Sequence, residues 1–381
     1  MKAIVNTTVV LSNYMILDGI ILIDGDRIVE VGERKDISIP KGTELLDVGG
    51  NYTGPGLIDI HTHAGGGAWF YDDPNAAAQH HLKHGTTSLL PALYFDMDKD
   101  QYLKSIKKIR EYMDSTDQGK VIKGLYMEGP YLNPKYGAAQ EDYKWFQGVQ
   151  SEDYLDIINE VGDFAKVWCI APELDGILDF VRAAKQKIKN LIFAVAHSEA
   201  SPTQIEACIP FGLCLGTHHT NATGNLVKYP ECRGVSVDET VNFHDDMYAE
   251  LICDSKGIHV DPYMLRLVLK IKGRDKIILI SDACVFDGPI PPGYEGVNDI
   301  NFDYSEQIAG SKLTLDVACK NMMKHTGSSL CDVFVFASSN PAKLLGMSKY
   351  GQIKKGNVAD LVVVNHMMGV QKVIFKGNEV S

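Results

Sequence analysis

The sequence predicts an α/β chain: a (β/α)8 barrel of the TIM type, with a small β-sandwich domain formed by both chain termini. Three observations predict it. Short apolar runs alternate with amphipathic stretches between about residues 54 and 344. Both ends read as short strands with turn signals between them. Most of the apolar runs in the middle stop at a histidine or a carboxylate.

At the N-terminus, AIVNTTVVLS and MILDGIILIDGDRIVEVG alternate apolar and polar positions. The Asp-Gly pairs at 18–19 and 24–25 predict hairpin turns. GQIKKGNVADLVVVN and VQKVIFKGNEV repeat that rhythm at the other end. Residues 1–53 and 345–381 are therefore expected to share the sandwich, and 54–344 to form the barrel. Eight runs supply its strands: GLIDIHTH, TTSLLPA, VIKGLYMEG, AKVWCIAPE, LIFAVAHS, GLCLGTHH, AELICDSKGIHV and KIILISDA. They are apolar on both faces, as strands enclosed by helices must be. DQYLKSIKKIREYMDS and GILDFVRAAKQKIKN carry the 3.6-residue period of the covering helices. An open doubly wound sheet would place a glycine-rich phosphate loop after its first strand, and no G-x-G-x-x-G stands there.

Composition narrows the function. The formal net charge is −12 with acids and bases interspersed, which excludes the broad basic face that nucleic acid or an anionic membrane would need. The first residues lack the apolar core and cleavage site of a secretory signal, and no window approaches the roughly 20 apolar residues of a membrane span. Eight scattered cysteines without a C-x-x-C pair read as reduced core residues. A cytoplasmic protein is expected.

Barrel enzymes work at the C-terminal ends of their strands. Those ends carry His61, His63, Glu128, His197, His218, His259 and Asp282. With a strand period of two, Leu57, Asp59, His61 and His63 share a face, so both imidazoles point into the barrel mouth. An isolated H-x-H is as much at home on a surface. Following a strand of this kind, the pair reads as two ligands of one metal. Glu128, His197 and His218 add one oxygen and two nitrogens, an open set that leaves room for water. Asp282 is the carboxylate best placed to take a proton from that water and return it to a leaving amine. His259 reads as a substrate contact. His80, His81 and His84 read as surface or helix-end residues, and His219 should alternate away from His218. His244, His325 and His366 have no strand-end context.

In order and spacing, PGLIDIHTH, HGTTSLLPAL, MEGPYLNP, APE, AHS, TH followed by NA, GIHVD, SDA, AGSKLTLD, SNPAKLLG and KKGNVADLVVVN resemble the amidohydrolase superfamily. Within it, the chain is similar to the N-acetylglucosamine-6-phosphate deacetylase family over nearly its whole length. The resemblance implies a homodimeric cytosolic hydrolase that removes the acetyl group of N-acetylglucosamine 6-phosphate. It assigns Glu128, His197 and His218 as main metal ligands, His61 and His63 as a second-metal pair, and Asp282 as the catalytic aspartate. Glu128 would bridge two ions, because KVWCIAPE offers no lysine at its C-terminal end, which disfavours dihydroorotase or hydantoinase activity.

Two departures stand out. Gln140 occupies the position where many members place a carbonyl-polarising histidine, and its amide can still donate to an oxyanion. Family members carry a phosphate-gripping arginine after Asn221 and Ala222; here NATGNLVKYPECRGVS offers Arg233, displaced, and Lys228. One or two divalent ions are implied, Zn2+ first, with Fe2+ or Mn2+ compatible with the same donors. N-acetylgalactosamine 6-phosphate, an unphosphorylated N-acetyl sugar or an N-acyl amino acid are the alternative substrates. A catalytically inactive binding barrel is the alternative of another class, and the complete ligand set argues against it.

Overall fold

The computed structural model describes residues 1–138, 140–224 and 227–380, with the backbone alone described for residues 227–229 and 233. Eight parallel strands form the central sheet: β1 (Leu57–Thr62), β2 (Thr86–Tyr94), β3 (Leu125–Glu128), β4 (Ala165–Ile170), β5 (Ile192–Val195), β6 (Leu213–Gly216), β7 (Tyr248–Ile252) and β8 (Ile277–Ile280). Each pairs with its neighbour in chain order. The seam between β8 and β1 is drawn together just beyond the strand ends. There the Asp282 N–H donates to His61 O at 2.9 Å, and the His63 and Ala64 N–H groups donate to Ala283 O at 2.9 and 2.8 Å. The sheet is thereby a barrel, as expected.

Helices cover it because their apolar positions recur at helical spacing. Lys99–Ser115 buries Tyr102, Ser105, Ile106 and Ile109, and starts at a capping box between Asp98 and Gln101. Ile177–Lys187 buries Ile177, Phe180, Val181 and Ala184 in the same pattern. Trp168 of β4 is fully buried; its indole N–H donates to Gly129 O at 2.8 Å and its ring meets Phe180 edge-on at 4.9 Å.

A second eight-stranded sheet draws on both ends of the chain. Leu361–Val364 pairs antiparallel with Tyr52–Pro55, which runs beside Lys2–Val10. Lys2–Val10 in turn pairs with Met15–Asp24. One expectation needs correction. Asp24-Gly25 turns a hairpin, but Asp18-Gly19 lies inside strand Met15–Asp24 and makes an irregularity opposite Thr7. Asp18 has φ +44, and a Cβ on Gly19 would stand 2.6 Å from Val9 Cγ2. The pair thus serves a bulge and a close approach, the other use of a glycine in a strand.

His81 is a helix-end residue but not a surface one. It is fully buried in the last turn of helix Pro74–Lys83, where its Nε2–H donates to Ala64 O at 2.8 Å. The eight cysteines are all free, but Cys232 is exposed and Cys284 only partly buried, so not all are core residues.

Replacing Trp168 by Ala should cost about 3–5 kcal/mol, as aromatic-to-alanine changes in a packed core do. Thermal unfolding followed by circular dichroism should show a midpoint lowered by several degrees, with Trp168→Phe falling between that variant and the wild type.

Candidate metal centre

The six side chains expected at the barrel mouth converge there. Glu128 ends β3, and its Oε1 lies 3.0 Å from Nε2 of both His197 and His218, which follow β5 and β6. Its other oxygen, Oε2, lies 2.9 Å from His63 Nε2 and 3.3 Å from His61 Nε2 at the end of β1. Asp282, after β8, puts Oδ1 3.4 Å from His63 Nε2 and 3.7 Å from His61 Nε2. All six residues are buried.

Backbone strain aims three of them. His197, His218 and Asp282 have φ of +46, +29 and +47. Such left-handed conformations cost a non-glycine residue roughly 1–3 kcal/mol and persist only where the surroundings impose them. Each stands two residues past the end of a barrel strand, and the turn swings its side chain inward.

Hydrogen bonds to the far side of each ring set its protonation. His197 Nδ1 faces Tyr136 O at 2.9 Å, and His218 Nδ1 faces Asn221 O at 3.3 Å. Carbonyl oxygens only accept, so Nδ1 carries a proton, and in the neutral ring Nε2 then presents a lone pair. These two lone-pair nitrogens stand 3.1 Å apart. Positive charge between them and Glu128, from a metal ion or from a proton shared with the carboxylate, makes that arrangement favourable. His61 Nε2 and Glu128 Oε2 point the same way: both are buried without a hydrogen-bond partner despite their proximity. The residues fit a divalent ion, as two overlapping donor groups: His61, His63 and Glu128, and Glu128, His197 and His218.

Electrostatics reflect the crowding. Burial drives the Glu128 carboxyl up, but the neighbouring imidazoles of His61, His197 and His218 outweigh it and hold the group well below its usual range. Burial likewise opposes ionisation of Asp282, and His63 and His61 bring it down to about 2.

Glu250, inside the apolar run of β7, was not singled out in the sequence. Fully buried, it meets His61 Nδ1 at 3.2 Å through Oε2 and accepts the His218 N–H at 3.2 Å. A carboxylate behind a ligating imidazole orients the ring and raises its basicity. The only sequence signal was a charge at a position where strand burial disfavours one. Asp254 does the same for His259, meeting its Nδ1 at 3.3 Å.

The cavity above the centre is lined by His63, Glu128, His197, His218 and Asp282 together with Asn221, Ala222 and His259. Asn221 Nδ2 and His259 Nε2 are buried and have no hydrogen-bond partner among the described residues, so both can meet a ligand. The loops after β1 and β8 add Trp69, Tyr71, Cys284 and Phe286, none of them anticipated. Gln140, expected to reach the substrate, does not line this cavity; its amide donates to Lys135 O at 3.2 Å and Gly137 O at 3.0 Å, and Gly137 is the lining residue. The side chains of Arg233 and Lys228, the expected phosphate contacts, lie outside the described residues.

The Amidohydrolase family pattern matches residues 53–380. The chain belongs to the amidohydrolase family. It is 29% identical to the N-acetylglucosamine-6-phosphate deacetylase of Bacillus subtilis (strain 168), across 97% of this chain and 94% of that one. It is 27% identical to the N-acetylgalactosamine-6-phosphate deacetylase of Escherichia coli O157:H7, across 86% and 87%. The crystal structure of N-acetylglucosamine-6-phosphate deacetylase from Pasteurella multocida superposes with a TM-score of 0.86 at 25% identity, covering 100% of this chain and 99% of that one.

Glu250→Gln keeps the size of the side chain and removes the charge behind His61. Metal affinity measured by chelator competition should fall about 10–100-fold, the usual effect of losing such a partner, with the fold intact by circular dichroism.

Proposed function

We propose that this amidohydrolase removes the acetyl group from an amino-sugar phosphate, converting N-acetylglucosamine 6-phosphate to glucosamine 6-phosphate and acetate. The observation that carries the reading is the meeting of Glu128, His197 and His218 with Asp282 in one buried cavity. The deacetylases that the chain resembles supply the substrate class.

His61, His63, Glu128, His197 and His218 would hold one or two divalent ions per subunit, Zn2+ first among them given the nitrogen and carboxylate donors. A bound ion would lower the pKa of its water towards neutrality and polarise the acetyl carbonyl. Asp282 accepts the proton of the attacking water as the C–O bond forms, then delivers it to the nitrogen as the C–N bond breaks. Asn221 and His259 present unpartnered donors for the polar sugar or the carbonyl oxygen, with Ala222 beside them. Trp69, Tyr71 and Phe286 wall off water. Gln140 contributes by holding the segment that carries Gly137. Arg233, with Lys228, is assigned to the phosphate.

The same reading takes the protein as a cytoplasmic homodimer, each subunit divided into a sandwich of residues 1–53 with 345–381 and a barrel of 54–344. No helix among the described residues is long and apolar enough to cross a membrane. The galactose epimer is the second substrate to test, because a curated relative of nearly equal similarity is named for it.

Purified, metal-loaded protein should release acetate from N-acetylglucosamine 6-phosphate faster than from the unphosphorylated sugar. Asp282→Asn should lower kcat about 10²–10⁴-fold, the span of a lost general acid–base group. Wild-type enzyme that leaves both hexosamine phosphates intact would sink the proposal.

A further inference from the structure

Cys284 stands against the centre in a way the hydrolytic scheme does not use. Its Sγ, a nitrogen of His63 and an oxygen of Asp282 all lie within 4.8 Å of one another. No other cysteine among the described residues belongs to such a donor group. We infer that Cys284 is a sulfur ligand of the metal centre, completing a His63–Asp282–Cys284 donor set on the side of β8.

Three features support it. The position of the sulfur is fixed from the backbone: the Cys284 N–H donates to Ser311 O at 2.9 Å, and Asn301 Nδ2 donates to Cys284 O at 2.8 Å. The sulfur itself is engaged only weakly, with Asp282 O at 3.7 Å, so coordination would displace little. The antiparallel pair Ile300–Phe302 and Ile308–Ser311, a hairpin beside Cys284, leaves room for it, since a Cβ on Gly310 would stand 2.5 Å from Sγ and Gly310 adopts φ +66. Independently, Glu128 lines the same cavity as Cys284, and its buried Oε2 has no hydrogen-bond partner among the described residues.

On coordination the S–H bond breaks, its proton passes to solvent, and the sulfur donates the freed electron pair to the ion; no oxidation state changes. A thiolate softens an otherwise nitrogen and oxygen set. It favours Zn2+, Co2+ or Cd2+ over Mn2+ or Mg2+.

The inference rests on the metal-centre reading alone, so turnover is not its test. Metal-free full-length protein titrated with Co2+ should develop a near-ultraviolet thiolate-to-cobalt charge-transfer band together with the visible bands of bound cobalt. In Cys284→Ser the charge-transfer band should vanish while visible bands persist, and competition should show binding weakened at least about tenfold. Cys284→Ala should behave alike, which separates loss of the ligand from an effect of serine. Cobalt bound to the wild type without the band, or a band unchanged in both variants, overturns the role of Cys284. Failure to bind cobalt at all would instead overturn the metal centre itself.

Discussion

Two buried imidazole nitrogens, each presenting a lone pair, face one another across 3.1 Å with a carboxylate oxygen 3.0 Å from both. Three electron-rich atoms in a triangle are repulsive unless positive charge sits among them. That constraint orders the rest of the molecule. A carboxylate or imidazole taken out of water without compensation costs several kcal/mol, so the site exists because something returns that energy. The surrounding structure holds the donors in place in advance: Tyr136 O, Asn221 O and Glu250 fix the rings of His197, His218 and His61 from behind.

The closure of the barrel and the construction of the site share one piece of backbone. The seam hydrogen bonds run from Asp282 to His61 and from His63 and Ala64 to Ala283. The residues that close the cylinder are therefore the ones that face its mouth. This explains why Asp282 can hold a left-handed backbone: its N–H and its carbonyl are both engaged, the latter by Ser311 N–H at 2.8 Å. Strain at the site is carried by the hydrogen bonds of the seam and of the hairpin behind it.

What was legible in the sequence is what strand periodicity and strand ends encode. His61 and His63 two residues apart, and single polar groups ending apolar runs, point to one mouth. Glu250 was hidden because it lies inside its strand and becomes functional only by reaching a ring on β1, a contact across 189 residues. Gln140 was read by its place relative to Glu128, but a loop position does not say where an amide points; here it is consumed by carbonyls of its own loop. Asp18-Gly19 misled because Asp-Gly serves bulges as well as turns, and only the partner strand decides which. His81 misled because a helix-end histidine is usually wet, whereas here Ala64 O lies within reach of its ring. Trp69, Phe286 and Cys284 carried no pattern at all, since they lie in loops that only the barrel brings together.

The strongly negative chain and an anionic sugar phosphate are compatible on grounds of range. With a formal charge of −12, the molecule as a whole repels phosphate, but exposed charges are screened over about 8–10 Å in physiological salt. Within that distance of the cavity the balance is local. Asp96, a lining carboxyl, is pushed by burial up to about 6, so it stays mostly ionised at neutral pH and adds a negative charge that nearby groups must offset. Divalent charge held by His61, His63, His197 and His218 would offset Glu128 and Asp282, and the uncommitted amide of Asn221 and ring of His259 face the same space. A low-dielectric pocket magnifies these near groups and leaves distant surface acids to solvent. The acidic surface therefore bears on the protein's solubility and encounter rate, while recognition of an anion is decided by the few groups that line the mouth.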